Sequence, residues 1–359
     1  MAFDVEWFDP VAKLLQKMYL KFFTENNTLE LLQGSKFFLA RIYYPDVTIS
    51  DLYIGNFITI YNRRFEIKDY SNSASKEYME AREKHFLCLM GASNMKEGLL
   101  GNLVTLGSSY DLKVARIKST GSGFSADDLT VSAGDVLIEI VGITISSELN
   151  SFVGAVHSLS PSGLLTARQS SPQAISDIFS ACTPVRVPSS GTLCLVKPHV
   201  LQSNGYTGTY SFKLDGRMVW DNKQKELNRC GELLSAITDA GFVIEAANTF
   251  HLNMSMAEEF FDVYRTVLKN YVPMLEQITS GPLLALLVTS SNEDCMGDTV
   301  SSFRDLCGPI EPEIARTLRP KSLRAIFGQN FERNAVHCTD LPEDGEIECI
   351  HFFETLSCV

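Results

Sequence analysis

Arg333-Asn334-Ala335-Val336-His337-Cys338-Thr339-Asp340 is the stretch of this chain with the clearest capacity for chemistry. A histidine follows a short apolar run, an asparagine stands three residues before it, and Thr339-Asp340 lie just behind. Glu348 comes eleven residues after His337, among the apolar residues Ile347, Cys349, Ile350, Phe352 and Phe353. A neutral imidazole nitrogen is nucleophilic near neutral pH and accepts a phosphoryl group. Its other nitrogen needs a partner that fixes the tautomer, and a carboxylate does this well. The window alone leaves two readings open: a phosphoryl acceptor, or a satisfied polar side chain at the edge of a core.

Phosphate passing through a histidine needs cations to hold its charge. Lys197 closes the apolar run Thr192-Leu193-Cys194-Leu195-Val196, at the strand end where open α/β sheets place ligands. Arg304 precedes Gly308-Pro309, and Arg316, Arg319, Lys321 and Arg324 put four cations into nine positions. Guanidinium groups bind phosphate oxygens in a fork, although a basic run also fits a solvated surface. The cluster stands out because the chain is acidic, with a formal net charge of −12 and a pI near 5.0. That balance argues against nucleic acid as the main partner.

These residues need elements to position them. A length of 359 residues suggests two or three domains, and 45% hydrophobic with 21% charged residues is a globular composition. No apolar run reaches the roughly 18 residues of a membrane helix, so no membrane partner is expected. Nine scattered cysteines without a Cys-x-x-Cys pair, and a start lacking signal-peptide features, read as reduced intracellular thiols. The first segment, residues 1–75, carries strand-like runs at 37–42, 51–54, 57–61 and 64–67, and reads as a small barrel or sandwich. Residues 14–23 fit a helix or a strand. A charged run at 76–84 reads as a short helix. Residues 86–90 and 131–141 read as strands of a second segment, 85–160. Its Ser119-Thr120-Gly121-Ser122-Gly123 is a loop rather than a phosphate cradle, because no Gly-Lys-Ser/Thr follows. Residues 161–190 are rich in Ser, Pro and Gly and read as a linker, with a short helix near 174–179. The third segment, 191–359, alternates strand and helix: a helix over 227–240 stopped by Gly241, a strand from Phe242, a capping box of Ser255 and Glu258 opening a helix to about residue 270, a strand over 283–288, and a helix over 299–306.

Four motifs in order, Thr192-Leu193-Cys194-Leu195-Val196-Lys197-Pro198, Ser280-Gly281-Pro282, Leu323-Arg324-Ala325-Ile326-Phe327-Gly328 and Arg333 through Asp340, resemble a nucleoside diphosphate kinase domain over residues 191–355. The resemblance implies a ferredoxin-like core and ping-pong transfer through phosphohistidine. It makes His337 the nucleophile, Glu348 the residue that orients its ring and Thr339 their support. Lys197, Arg304 and Arg324 would bind phosphates, Asn334 the ribose, and magnesium would arrive with ATP, with no metal held by the chain itself. Phe261 stands near a family tyrosine and is assigned to the nucleotide side. An aromatic that stacks the base is sought near Asn270-Tyr271. Ile310 replaces a phosphate-binding threonine, His199 replaces an aspartate, and about twenty extra residues, 206–225, follow the first strand.

The first segment, with Phe3-Asp4-Val5-Glu6-Trp7-Phe8-Asp9-Pro10 and Leu52-Tyr53-Ile54-Gly55-Asn56, resembles the DM-ten docking domain of ciliary proteins. The second resembles a first kinase-like domain in decay: Gly91 stands where the lysine belongs, and no Asn-x-x-His follows. The expected fold is α+β: a small β-barrel-like domain, then two ferredoxin-like domains, the first reduced. That arrangement implies a structural protein of the cilium or flagellum axoneme, cytoskeletal and inside doublet microtubules, with tubulin, neighbouring microtubule proteins and nucleotides as partners. The alternative is an active kinase passing the γ-phosphate of ATP to nucleoside diphosphates through His337.

Overall fold

The computed structural model describes the chain apart from residues 10, 11, 13, 45, 46, 62, 111, 127, 128, 144, 145, 161, 162, 164, 202–205, 213–217, 226–228, 291–298 and 359. It divides into two compact units: residues 1–83 with 142–144 and 202–227, and the remainder of 84–359.

In the first unit the strands are β1 (Ala2–Asp9), β2 (Leu14–Phe23), β3 (Thr28–Gln33), β4 (Lys36–Tyr43), β5 (Phe57–Ile60) and β6 (Arg63–Tyr70), followed by helix α1 (Ser73–Glu80). They form one antiparallel sheet in the order β4-β3-β2-β1-β6-β5. Alternation decides residues 14–23 in favour of a strand, since Met18, Leu20 and Phe22 are buried at a spacing of two. Residues 49–51 form a 3-10 turn, where a strand over 51–54 was expected. The sheet is open rather than a closed barrel: β4 and β5 are edges, although Tyr44 and Tyr61 beyond them meet with ring centroids 5.5 Å apart. The expected helix over 76–84 begins earlier and ends at Glu80. Residues 83 and 84 already belong to the next strand.

The second unit holds β7 (Glu83–Met90), α2 (Ala92–Lys96), α3 (Leu99–Ser109), β8 (Lys113–Ser119), β9 (Phe124–Ala126), β10 (Leu129–Val131), β11 (Val136–Ile143), α4 (Ser146–Leu159), β12 (Leu165–Gln169) and α5 (Pro172–Ser180). It continues with β13 (Thr192–Val196), α6 (Pro198–Leu201), the hairpin β14 (Tyr206–Phe212) and β15 (Met218–Lys225) that clusters with the first unit, α7 (Arg229–Asp239), β16 (Phe242–Phe250), α8 (Met254–Phe260), α9 (Tyr271–Ile278) and β17 (Leu283–Ser290). The last elements are α10 (Thr299–Cys307), α11 (Pro312–Leu318), α12 (Leu323–Phe327), β18 (Val336–Cys338) and α13 (Gly345–Ile350).

One eight-stranded sheet runs β12-β7-β11-β8-β16-β17-β13-β18. Numbered within each half, the order is 4-1-3-2 and then 2-3-1-4, so the same four-stranded arrangement occurs twice, joined edge to edge at β8 and β16. Residues 161–190 are therefore not only a linker. Leu165–Gln169 supplies the fourth strand of the first repeat, paired with β7, and its Leu165 and Ala167 are buried. The breakers around that strand hid it, because only five residues separate them. The seam is stitched largely by side chains: Asn248 Oδ1 accepts from the Ser119 amide at 2.8 Å, and Thr249 Oγ1 accepts from the Ile117 amide at 3.0 Å. Helices α3 and α7 cross where glycines meet, and a Cβ on Gly231 would stand 2.7 Å from the Gly101 carbonyl oxygen. Across β7, β11 and β8 of the first repeat, buried Glu139 is held by His85 at 2.8 Å and Arg116 at 2.5 Å.

The repeats differ in what lies between their strands. Between β16 and β17 stand α8, a 3-10 turn over residues 262–264 and α9, whereas among the described residues between β8 and β11 there is only the short hairpin β9-β10. The α8 helix is capped by Asn253, whose side chain accepts from the Met256 amide at 2.9 Å, and it ends at Phe260 rather than near 270. Pro273 does not stop a helix. It lies in the first turn of α9, where its missing N–H costs nothing. Gly241, at φ 87°, closes α7 as expected.

Candidate active site

Strand β13 is buried at all five positions and lies between β17 and β18. Its register pairs Leu195 with His337 and Val196 with Val336. Lys197, one residue beyond β13, donates its amide to the Ala335 carbonyl at 2.9 Å. Ala335 has φ 73°, rare for a residue with a Cβ, and Val336 N bonds Asn334 O across it at 3.0 Å. This is a three-residue γ-turn of the strained hand. It places Asn334, Lys197 and His337 at one end of the central strands.

His337 is 9% exposed, and its ring is enclosed edge-on by Phe260, Phe261 and Tyr264, with centroids at 5.7, 5.2 and 6.2 Å. Nε2 lies 3.6 Å from Glu348 Oε2, too long for a direct hydrogen bond, and has no other partner. Thr339 fixes that carboxylate. Its hydroxyl donates to Glu348 Oε2 at 2.8 Å and accepts from the Leu193 amide at 3.2 Å. Because Thr339 is fully buried, the hydroxyl has one orientation that satisfies both neighbours. The carboxylate then faces Nε2 and favours a proton there, which leaves the lone pair on Nδ1 as the nucleophile.

Three cations lie around strand β18 and the residues flanking it, each with an internal partner, Arg324 on the Cys338 face of the strand. Lys197 is 3% exposed and donates from Nζ to the Glu332 carbonyl at 2.8 Å. Burial, and secondly the Arg324 charge, push its ammonium down to about 7. Arg324 reaches Gly308 O at 2.7 Å and Val336 O at 3.1 and 3.2 Å, so its guanidinium ties β18 to the turn after α10. Arg304, half exposed, donates to the Asp340 carbonyl oxygen and lies 3.5 Å from Asp340 Oδ1. Asn334 donates to Ile310 O at 3.0 Å and keeps a buried, unpartnered Oδ1.

All eight residues singled out from the sequence therefore belong to one region. Phe261, 1% exposed, packs on the His337 ring. Of the basic run, only Arg324 reaches the histidine strand. Arg316 bonds Ala325 O and Gly328 O, and Arg319 pairs with Asp305 at 2.5 Å. Tyr271 is buried and Asn270 Nδ2 is tied to Glu332 at 2.8 Å, so neither presents a ring for a base. His199, buried beside Lys197, is pushed down to about 3 by desolvation first and that charge second, and is neutral at pH 7. Sequence reasoning missed Tyr264, whose hydroxyl donates to Asp340 Oδ2. Its signal was its position three residues after Phe261, on the same side of a helical turn.

The first repeat lacks the corresponding chemistry. Leu89, two residues before Gly91, pairs with Thr166, just as Leu195, two residues before Lys197, pairs with His337. Gly91 and Thr166 thus occupy the lysine and histidine places.

The family model for nucleoside diphosphate kinase matches residues 223–357. Nucleoside diphosphate kinase homolog 7 of Mus musculus is 28% identical over 99% of this chain and 93% of its own. The nucleoside diphosphate kinase of Aquifex aeolicus is 31% identical over 37% of this chain and 89% of its own. A crystal structure of the Aquifex enzyme overlays on 46% of this chain and 96% of that one, at 27% identity and a TM-score of 0.36. With the histidine strand assembled and a kinase matched over nearly its whole length, the chain belongs to the nucleoside diphosphate kinase family.

Proposed function

We propose that the second repeat transfers the γ-phosphate of ATP to nucleoside diphosphates through His337. The observation that carries this reading is the buried His337 with the Glu348 carboxylate 3.6 Å from Nε2, held there by the Thr339 hydroxyl, which itself accepts from the Leu193 amide; a carboxylate on that side favours a proton on Nε2. Nδ1 attacks the γ-phosphorus, the bond to the ADP oxygen breaks, and a second nucleoside diphosphate takes the phosphoryl group in the reverse sense. Magnesium would arrive with the nucleotide and would supply charge neutralisation for its phosphates. Lys197, Arg304 and Arg324 hold the migrating charge. Their present partners are backbone carbonyls, the Cys338 sulfur and one half-exposed carboxylate, and a phosphate dianion forms stronger charge-assisted bonds than these. Incubation with γ-labelled ATP should leave an acid-labile label on the protein, absent in His337→Ala. An unlabelled wild type would end this proposal.

A second reading is a structural role in the axoneme of cilia or flagella, inside doublet microtubules with tubulin as partner. It is supported by a first repeat that keeps the sheet but has Gly91 and Thr166 in place of the lysine and histidine, and by exposed Phe8, Leu15 and Phe37 in the first unit. The tagged protein should then resist extraction from axonemes by detergent, and His337→Ala should leave that unchanged. A freely extracted pool would sink it.

A further inference from the structure

The first repeat carries two cations that the proposed reaction does not use. Arg116 and Lys118 stand two apart on β8, opposite Glu139 and Leu137 of β11, and so share one face of the sheet. The other face of both repeats is a single apolar cluster that includes Ile117, Ile138 and Ile244. On the face of Arg116 and Lys118, Leu137 packs with Ile175, Ile178 and Phe179 of α5. The same face of the second repeat is closed: Ala246 of β16 and Leu287 of β17 stand opposite each other, clustered with Ala257 of α8 and Met274 and Leu275 of α9. The first repeat instead has a cleft of about 230 Å³ there, lined by Arg116, Lys118, Phe179, Ser180 and Thr249.

The groups in the cleft differ in what they have left to offer. Arg116 Nε lies 2.5 Å from Glu139 Oε2, and the guanidinium sits 4.6 Å from the centre of the Phe179 ring. Its two Nη groups have no hydrogen-bond partner among the described residues, and Lys118 has neither a hydrogen bond nor an ion pair among them. Glu139 is shared, since His85 Nδ1 stands 2.8 Å from its other oxygen. One carboxylate thus serves Arg116 and His85, and Lys118 is left uncompensated. The Ser180 and Thr249 hydroxyls donate to the Ser176 and Ile117 carbonyls, so the free donors are the two cations. Side chains two apart on a strand face are about 7 Å from each other, and like charges so placed repel. An oxyanion between them removes that repulsion, taking the guanidinium fork on one side and the ammonium on the other.

We propose that this cleft is a binding site for a phosphate dianion, held between Arg116 and Lys118. Its volume lies below the roughly 300–1,000 Å³ of ordinary ligand pockets, which suits inorganic phosphate or the head of a small monoester and excludes a whole nucleotide. The site is separate from His337 and takes no part in phosphoryl transfer.

Equilibrium dialysis of the full-length chain against radiolabelled inorganic phosphate, at constant ionic strength, tests this. Saturable uptake should weaken about tenfold or more in Lys118→Met, which removes one charged donor, and in Arg116→Lys, which keeps the charge and the Glu139 pairing but loses the fork. Both variants should melt with the wild type. Lys197→Met should keep the Lys118-dependent uptake, which separates this cleft from the histidine site. Displacement of the label by methyl phosphate would show that an ester fits, and failure to displace it would confine the site to free phosphate. Absence of saturable uptake, uptake unchanged in Lys118→Met or in Arg116→Lys, or equal displacement by acetate overturns the proposal.

Discussion

Replacing Thr339 by valine keeps the shape of the side chain and removes one hydroxyl, so it isolates what that hydroxyl does. Two bonds disappear, from the Leu193 amide at 3.2 Å and to Glu348 at 2.8 Å. Leu193 is fully buried, and an amide left without a partner costs about 1–3 kcal/mol of stability. Glu348, whose side chain retains some exposure, recovers part of its loss from water. The chemical effect is separate. Without the hydroxyl the carboxylate is free to rotate toward solvent, and Nε2, already 3.6 Å away, loses the group that selects its tautomer. Loss of a group that orients a reacting imidazole in this way typically costs on the order of 10–100-fold. The assay is single-turnover labelling from ATP, read beside thermal unfolding of the same preparation. Thr339→Ser should recover both quantities because it restores the hydroxyl. A valine variant that melts earlier but takes label at the wild-type rate would refute the positioning argument and reduce Thr339 to a core residue.

Stability should rise with pH between about 7 and the ordinary lysine range, because Lys197 binds its proton less tightly folded than unfolded. The slope reaches about 1.4 kcal/mol per pH unit at most, is absent in Lys197→Met, and is measurable by urea unfolding. Nucleotide binding at pH 8 should take up a proton, since phosphate favours the charged amine, and calorimetry in buffers of different ionisation enthalpy detects it. Gly231→Ala should destabilise by about 1–3 kcal/mol or more through overpacking, as its Cβ would stand 2.7 Å from the Gly101 carbonyl oxygen. Gly107→Ala, with nothing nearer than 3.7 Å, should be mild, and melting temperatures compare the two. The double change Gly91→Lys with Thr166→His should give no phosphohistidine in a His337→Ala background, because the first repeat has no counterpart of α8, α9 or residues 308–335.

The site was more legible than the fold around it. His337, Thr339 and Glu348 occur within twelve residues, and their residue types carry their chemistry. Lys197 could be placed because a buried strand shows as an unbroken apolar run ending in a charge. The arginines were ambiguous, since a sequence does not show which guanidinium turns inward. Arg324 does, while Arg316 and Arg319 satisfy carbonyls and a carboxylate nearby. Strand β12 was lost among its flanking breakers, and strands β1 and β3 went unread although Phe3, Val5 and Trp7 alternate with Asp4 and Glu6, and Leu29 and Leu31 flank Glu30. The helix expected to run to residue 270 failed for a related reason. Asn253, not Ser255, is the cap, and the segment breaks at Phe261 so that Tyr264 can face the histidine. Here tertiary contacts outweigh local propensity.

What the first repeat has kept indicates what it is for. It retains four strands in the same order, the buried face of α3 and the glycine at the α7 crossing, and lacks the elements that would hold a nucleotide. Those retained features are the ones the second repeat needs. Without β8, the β16 edge would present unpaired amides and carbonyls beside Asn248 and Thr249, and an open edge of that kind pairs with other chains. Without α3, the face of α7 bearing Cys230, Leu234 and Gly231 would lose its cover. A chain shortened to residues 184–359 should therefore self-associate or precipitate, although every residue of the histidine site is present. Sedimentation analysis at several concentrations distinguishes this from a stable monomer. A well-behaved monomeric fragment that takes label as fast as the full chain would show that the first repeat is not required as a cover for the sheet.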